Sequence, residues 1–172
     1  DTSVDVVHRS IPNKPGQQQL AVYWDANDSN SYSFADSSNV YDLSGSGVTG
    51  AITGTNGFDA EYNAWVFDGT SDIRSTVNTF SGDQPHTMSV WVYISNALTT
   101  ADGYISILAP NTGETIDEVS SIRFQNDGFN MQSWGNDIRM YNLGIQKERW
   151  YHLTAVYDGG GVTTASKRLY IN

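Results

Sequence analysis

Short runs of apolar and aromatic residues alternate with polar clusters along most of this chain. Each run holds five to nine residues, is rich in β-branched and aromatic side chains, and is bounded by Gly, Asn, Asp or Ser. That pattern is typical of β-strands separated by turns. The predicted strands are residues 20–24, 62–67, 87–94, 104–109, 120–124, 138–142, 150–158 and 167–171.

Alternation within the longer runs indicates which side chains share a face of the sheet. Residues 87–94 place Met88, Val90, Val92 and Ile94 on one face, and Ser89, Trp91 and Tyr93 on the other. Because both faces carry large apolar groups, we expect this strand to be central in a sheet that is covered on both sides. The same reasoning places Trp91 and Trp150 in the core.

No window shows apolar residues at helical spacing, so almost no helix is expected. Many short strands without intervening helices predict an all-β fold, an antiparallel two-sheet sandwich or jelly roll. Residues 1–19 differ from the rest, because they hold two prolines, three consecutive glutamines and no aromatic residue. We interpret them as an extended N-terminal arm or linker, which precedes a single domain at residues 20–172.

Composition excludes several classes of function. The chain has 172 residues, with 19 Asp and Glu against 9 Lys and Arg, and its net charge of −10 argues against a nucleic-acid partner. It contains no cysteine, which excludes a zinc finger, a disulfide scaffold and a thiol nucleophile. No apolar run approaches the roughly 20 residues that span a bilayer, so membrane insertion is not expected.

Four segments together resemble a known family. They are AVYWDANDSNSYSFADSSNVYDLSGSGVTGAITG (21–54), WVFDGTSDIRSTV (65–77), HTMSVWVYISN (86–96) and WYHLTAVYDG…KRLYIN (150–172). In this order they resemble the motifs of laminin G-like, concanavalin A-like jelly-roll domains of the lectin/glucanase superfamily. The opening motif most resembles modules of bacteriophage virion proteins and bacterial surface proteins, which implies an extracellular location. Since the fold hosts lectins, hydrolases, adhesins and structural spacers, it does not choose among these functions.

The polar positions of these motifs have a structural interpretation. Asp42 is expected to cap its turn, with Gly45 and Gly47 supplying unusual backbone angles. Asp68 and Gly69 are expected to form a second tight turn, with positive φ at the glycine.

Catalysis is not expected. Laminarinase-type relatives place carboxylates at alternate positions of one strand, which directs them into one cleft. The only comparable acidic cluster, Glu114, Asp117 and Glu118, has the wrong spacing and follows a loop signal. The three histidines are far apart in sequence, and His152 is interpreted as a buried, hydrogen-bonded structural residue.

Two kinds of ligand stay open. Many relatives hold calcium with loop oxygens, and Asp25, Asp68 and Asp72 are the candidate ligands, although solvated loop carboxylates and turn caps are the favoured interpretation. For glycans, the combination of an exposed aromatic ring with amide or carboxylate neighbours is the usual arrangement. The candidate glycan-binding residues are Trp134, the first choice for a platform, with Tyr62, Trp65 and Asn136.

Related domains continue for several strands beyond the segment that corresponds to residues 167–171. We therefore expect the domain at residues 20–172 to lack its last strands. Either the sequence is a piece of a longer protein, or a neighbouring chain completes the sandwich by strand addition. Candidate contacts with neighbouring chains, including copies of this chain, are Val4, Val6, Ile11, Leu169 and Ile171.

The leading hypothesis is a non-catalytic structural or adhesion module on a virion or cell surface, which contacts other proteins and glycans. The alternative is a carbohydrate-binding module of a secreted enzyme. A glycoside hydrolase is the third reading, and it would need two carboxylates that face one cleft.

Overall fold

The computed structural model describes residues 20–54, 57–75, 77, 84–98, 121–133, 136–159 and 164–171, together with the backbone of 105–108. The chain divides into two compact units, Asp1–Val77 and Asn78–Asn172, which we call unit 1 and unit 2. The predicted arm at residues 1–19 lies outside the described residues, as do its candidate contacts Val4, Val6 and Ile11.

Unit 1 contains a three-stranded antiparallel sheet and a separate hairpin. The sheet consists of β1 (Asn39–Val40), β2 (Gly50–Thr53) and β5 (Asp72–Ser75), with β2 in the middle, and the hairpin consists of β3 (Gly57–Asp59) and β4 (Ala64–Val66). Val40 and Val48 are its buried apolar side chains. Gly50 is required in β2, since a Cβ there would lie 2.8 Å from the ring of Trp24.

The prediction of a strand at residues 20–24 is wrong. The segment is anchored largely by side chains instead of a strand ladder. The backbone N–H of Tyr23 donates to the Asp42 carboxylate at 2.8 Å, and the indole N–H of Trp24 donates to the carbonyl of Val48 at 3.0 Å. One backbone hydrogen bond, from the N–H of Leu43 to the carbonyl of Tyr23, joins residues 20–24 to the segment that follows β1. Hydrogen bonds that involve side chains have therefore replaced the backbone ladder of a strand.

Unit 2 contains two antiparallel sheets. One has the order β12 (Lys167–Ile171), β11 (Arg149–Tyr157), β6 (His86–Ile94), and the other has the order β10 (Ile138–Met140), β9 (Phe129–Gln132), β8 (Ser121–Phe124), β7 (Ile105–Leu108). Among the described strands β11 is the central one of its sheet and β6 is an end strand, so the central position predicted for β6 is not found among them.

The two sheets of unit 2 share one hydrophobic core. Its buried members are Met88, Ile94, Ile122, Phe124, Phe129, Met131, Leu153, Ala155 and Tyr157, which come from β6, β8, β9 and β11. Every second residue of each strand contributes, because successive side chains point to opposite faces. The predicted β-sandwich is confirmed in this unit.

The all-β class is also confirmed. The described part of the chain contains a single 3-10 turn, Thr164–Ser166, and no α-helix. No helix among these residues is long and apolar enough to cross a membrane. Strands β6, β11 and β12 begin and end within one residue of their predicted bounds, because their alternation is long and uninterrupted.

Candidate functional site

Asp42 organises the turn that follows β1, as predicted. Its Oδ1 accepts hydrogen bonds from the backbone N–H of Tyr23 and Ser44 at 2.8 and 3.0 Å. Its Oδ2 accepts from the hydroxyls of Ser44 and Ser46 and from the N–H of Gly47 at 2.6, 2.9 and 3.0 Å. Gly45 and Gly47 have φ of 91° and 75°, so the predicted turn geometry is confirmed.

This arrangement sets the charge of the carboxylate. Burial opposes the ionisation of Asp42, but the hydrogen bonds from Ser44 and from the backbone of Tyr23 outweigh that effect. The pKa of Asp42 is therefore held well below its usual range. Both carboxylate oxygens of Asp42 thus accept hydrogen bonds, and the charged side chain holds the turn and the backbone of Tyr23 together.

The three calcium candidates make similar local contacts. Asp25 accepts from the phenol of Tyr23 at 2.9 Å and from the N–H of Asn27 at 2.9 Å. Asp68 accepts from the N–H and hydroxyl of Thr70, both at 2.8 Å, and Gly69 follows with φ of 89°, which confirms the predicted turn.

Asp72 accepts from the hydroxyl of Thr53 and forms an ion pair with Arg74 at 2.6 Å. Within the described ranges, no three His, Asp or Glu side chains are grouped so that they could hold a metal ion. Asp25, Asp68 and Asp72 are thus not brought together as one ligand set, and each carboxylate serves its own turn or strand.

The outer face of the sheet β12-β11-β6 carries five aromatic rings, which we call the aromatic face: Trp91, Tyr93, Trp150, His152 and Tyr170. Trp91 lies opposite His152, and their rings stack with centroids 4.9 Å apart. Tyr93 lies opposite Trp150, and these rings meet edge to face at 5.6 Å. All five rings lie on one face of the sheet because each belongs to the same side of its strand.

The burial predicted for Trp91 and Trp150 is wrong. Trp91 is 62% exposed and Trp150 is 36% exposed. His152 is hydrogen-bonded as expected, with its Nε2 2.8 Å from the Ser89 hydroxyl, but it is half-buried on the outer face. The core takes only the opposite side of β6 and β11, where Met88 and Leu153 lie.

Polar groups surround the aromatic face. Tyr93 donates its phenol hydrogen to Glu148 at 3.0 Å, which holds that ring at one end of β6. Ser89 and Thr154 lie opposite each other beside the stacked rings. Arg168 on β12 is paired with Asp158 at 2.6 Å, so its charge is balanced within the face.

Unit 1 contains a second aromatic site, an open cleft of about 310 Å³. We call it the aromatic cleft, and its rings are Tyr32, Phe34 and Phe58. Tyr32 and Phe58 stack at 5.2 Å, and Phe34 meets Phe58 edge to face at 4.9 Å. Its polar lining residues are Asn27, Ser29, Ser33 and Asn63.

The predicted glycan residues that the structure describes belong to both units, Tyr62 and Trp65 to unit 1 and Asn136 to unit 2. Trp134 lies outside the described residues. Tyr62 is 41% exposed, whereas Trp65 packs edge-on against Tyr32 and its indole N–H is buried without a hydrogen-bond partner in the described part of the chain. Asn136 belongs to unit 2, where its carbonyl accepts from the Lys167 ammonium at 2.9 Å.

The predicted assembly contacts Leu169 and Ile171 pack against the core of unit 2. Their strand β12 is the end strand of its sheet among the strands described. Glu114, Asp117 and Glu118, the residues considered for hydrolysis, fall outside the described residues. The aromatic cleft was missed because Tyr32 and Phe34 lie in a loop without a periodic pattern.

The sequence matches the model of one family, the Concanavalin A-like lectin/glucanases superfamily, over residues 67–172. The match covers unit 2 and the last strand of unit 1, which is more than half of the chain. No curated protein and no solved structure matches this chain. The family match and the two-sheet sandwich agree, and the protein belongs to the concanavalin A-like lectin/glucanases superfamily.

Proposed function

We propose that this chain is a non-catalytic jelly-roll module that adheres to glycans through the aromatic face of unit 2. The observation that carries the proposal is the exposure of Trp91, Trp150 and Tyr170 on one side of one sheet. Large exposed aromatic groups on a rigid sheet are unusual unless they serve an interaction. The module would act on the outside of a virion or a cell, where glycans are encountered.

The chemistry of the aromatic face suits a sugar chain. A pyranose ring has a C–H face that loses water favourably against an aromatic ring, and a rim of hydroxyls that need hydrogen-bond partners. Trp91 and Trp150 supply the apolar surface. Ser89, Thr154 and His152 lie beside them, and hydroxyl and imidazole groups both donate and accept hydrogen bonds.

Charge also favours a neutral ligand on this face. The ion pair between Arg168 and Asp158 on this face is internally balanced. The whole chain carries a net charge of −10, which would repel an anionic ligand. A neutral glycan meets no such penalty.

The strands of unit 2 support the absence of catalysis. Glycoside hydrolysis requires two carboxyl groups about 5 to 9 Å apart, which project into one cleft. None of the seven strands described in unit 2 carries an Asp or a Glu. A module that binds without cutting is therefore the better account of this sheet.

The proposal extends to assembly with neighbouring chains, including further copies of this chain. An additional strand would pair beside β12, the end strand of its sheet among the described strands. Because Leu169 and Ile171 face the core, such a contact would be made by the β12 backbone and by Tyr170. Light scattering over a range of concentrations would detect it as a rise in mass.

The test is binding of the chain to a panel of neutral polysaccharides and to a glycan array. We expect a specific subset to bind, and we expect Trp91→Ala and Trp150→Ala each to weaken binding about tenfold, which corresponds to about 1.4 kcal/mol. Phe67→Ala is the matched control, since Phe67 is a 50% exposed aromatic residue outside both aromatic sites.

Two results would contradict the proposal. One is glycan binding that survives both tryptophan substitutions unchanged. The other is the release of new reducing ends from any bound polysaccharide, which would show that the module is catalytic.

A further inference from the structure

The aromatic cleft of unit 1 is not used by the proposed function, and it lies outside the part of the chain that matches the family. Its three rings, Tyr32, Phe34 and Phe58, contact one another and line the cleft. Tyr32 and Phe58 are nearly parallel, with 17° between their planes, while Phe34 stands at 83° to Phe58 and at 69° to Tyr32. Phe34 is 71% exposed, the largest exposure among the large apolar side chains described.

The described part of unit 1, which contains this cleft, carries mainly negative charge. Between residues 20 and 77 the sequence has one basic residue, Arg74, which is paired with Asp72. The acidic residues in the same range are Asp25, Asp28, Asp36, Asp42, Asp59, Glu61, Asp68 and Asp72. A cleft in such a unit attracts cations and repels phosphate and carboxylate groups.

Three of these carboxylates adjoin the lining directly along the chain. Asp28 stands between the lining residues Asn27 and Ser29, Asp36 follows Ala35, and Asp59 follows Phe58. Local hydrogen bonds keep them in place. Asp28 accepts from the N–H of Asn30 at 2.8 Å, and Asp59 accepts from the N–H of Glu61 at 2.9 Å.

Asp36 is fixed in the same way. It accepts from the phenol of Tyr41 and from the side-chain amide of Asn39. These hydrogen bonds lower the pKa of Asp36, with that from Tyr41 the strongest contributor, so the carboxylate is ionised at neutral pH.

From this combination we propose that the aromatic cleft binds a positively charged side chain, arginine above all, that a partner protein presents. The faces of Tyr and Phe rings attract cations through their quadrupole, and a guanidinium group also stacks on them as a flat surface. Asn27 and Asn63 offer amide oxygens to its N–H groups. The carboxylates in the described part of unit 1 are not among the lining residues, and they add attraction at longer range.

A volume of about 310 Å³ is at the small end for ligand pockets, which suits one side chain better than an oligosaccharide. A choline phospholipid would bring its phosphate into the described part of unit 1, which holds eight carboxylates and one paired arginine, and repulsion between like charges disfavours that ligand. The negative charge of unit 1 therefore favours a basic protein segment among the possible sources of a cation.

The test is a titration of the ¹⁵N-labelled chain with the peptide acetyl-Gly-Arg-Gly-amide, followed by NMR. The matched probe is the same peptide with citrulline, which has the shape of arginine but no charge. We expect the arginine peptide to shift the amide signals of the cleft and to bind at least about fivefold more tightly than the citrulline peptide. Raising the salt concentration should weaken the arginine peptide selectively.

Variants assign the binding to the cleft. Phe34→Ala should abolish it, and the exposure of Phe34 means that the unit keeps its fold, which the unchanged dispersion of the remaining signals would confirm. Asp28→Asn keeps the oxygen that accepts from Asn30 and should weaken binding about threefold. Trp91→Ala, in unit 2, should leave it unchanged.

Equal binding of the arginine and citrulline peptides would overturn the inference, and so would retention of binding in Phe34→Ala. Displacement of the arginine peptide by a neutral oligosaccharide would show that the cleft is a sugar site instead. Binding of choline phospholipid vesicles in preference to the peptide would assign the cation to a lipid. None of these results bears on the aromatic face, which is tested separately.

Discussion

Trp91 and His152 lie directly opposite each other on neighbouring antiparallel strands, with ring centroids 4.9 Å apart and planes inclined by 25°. The imidazole is also held by Ser89, whose hydroxyl oxygen lies 2.8 Å from Nε2. Two contacts from β6 thus fix a ring of β11. The indole of Trp91 therefore stacks on a ring that is itself held by a hydrogen bond, although most of the indole surface is exposed.

We predict that His152→Ala lowers glycan affinity about three- to fivefold, because the Trp91 ring loses the surface on which it stacks. Stability should fall by less than about 1 kcal/mol, as is usual for a cross-strand pair on an exposed face. The measurement is glycan binding together with urea unfolding. Ser89→Ala removes only the hydrogen bond and serves as the milder control, and a large loss of stability in His152→Ala would contradict this role.

Asp42 carries the second prediction. Asn at this position replaces an acceptor oxygen by a donor that faces the donors of the turn, so Asp42→Asn should destabilise unit 1 by about 1 to 3 kcal/mol. Thermal unfolding measures the effect. Asp28→Asn, at an exposed turn where one oxygen makes all the hydrogen bonds found, is the control and should change stability much less.

The pH dependence of the free energy of unfolding should differ between Asp42→Asn and the wild-type chain. Since the pKa of Asp42 is lowered on folding, its contribution is present above the unfolded value of about 4 and is lost as pH falls through the folded value. The wild-type chain should therefore lose stability from about pH 4 downwards, and Asp42→Asn should lack this portion of the loss. Parallel profiles for the two proteins would contradict the lowered pKa.

Gly128 should tolerate no side chain. A Cβ at this position would lie 1.8 Å from the carbonyl oxygen of Met140, and the glycine closes the turn between β8 and β9 by pairing with Gln125. We predict that Gly128→Ala destabilises unit 2 by about 3 kcal/mol or more. Gly144→Ala is the control, because space there is open and only its φ of 62° is unfavourable, which costs about 1 kcal/mol.

The phenol of Tyr23 should ionise at a higher pH than an ordinary tyrosine. Partial burial raises its pKa, and the hydrogen bond to Asp25 adds to this effect, so that the pKa reaches about 12. Folding stability should then decline as pH rises from about 10, where the unfolded phenol ionises, towards 12. Absorbance at alkaline pH measures the tyrosines, and Tyr23→Phe should remove a transition from the high end of the curve. Removal of a transition near pH 10 instead would contradict the assignment.

The sequence was informative where structure depends on neighbours along the chain. Asp42 and Asp68 were correctly identified as turn residues, because a short carboxylate side chain followed by glycine determines its own local geometry. Strands β6 and β11 were located from their alternation. The run Asn126, Asp127 and Gly128 between β8 and β9 is typical of a hairpin turn. In the structure Asn126 and Asp127 both have positive φ, as such a turn requires.

The sites could not be predicted in the same way. Alternation shows that Trp91 and Ser89 share a face, but it does not show whether anything covers that face, which led to the wrong burial of Trp91. The aromatic cleft depends on loop residues at 32 and 34 that meet Phe58 of a later strand. Such proximity arises from tertiary packing, which a single sequence does not encode in any periodic pattern.

The most direct test of glycan adhesion is to follow the indole N–H signals of the five tryptophans by NMR while adding the glycan that binds most tightly in the array. We predict that Trp91 and Trp150 shift and saturate together, while Trp24, whose N–H is bonded to Val48, and Trp65, whose indole N–H is buried, stay unchanged. A response at Trp134 alone, with Trp91 and Trp150 unmoved, would contradict the aromatic face as the binding surface.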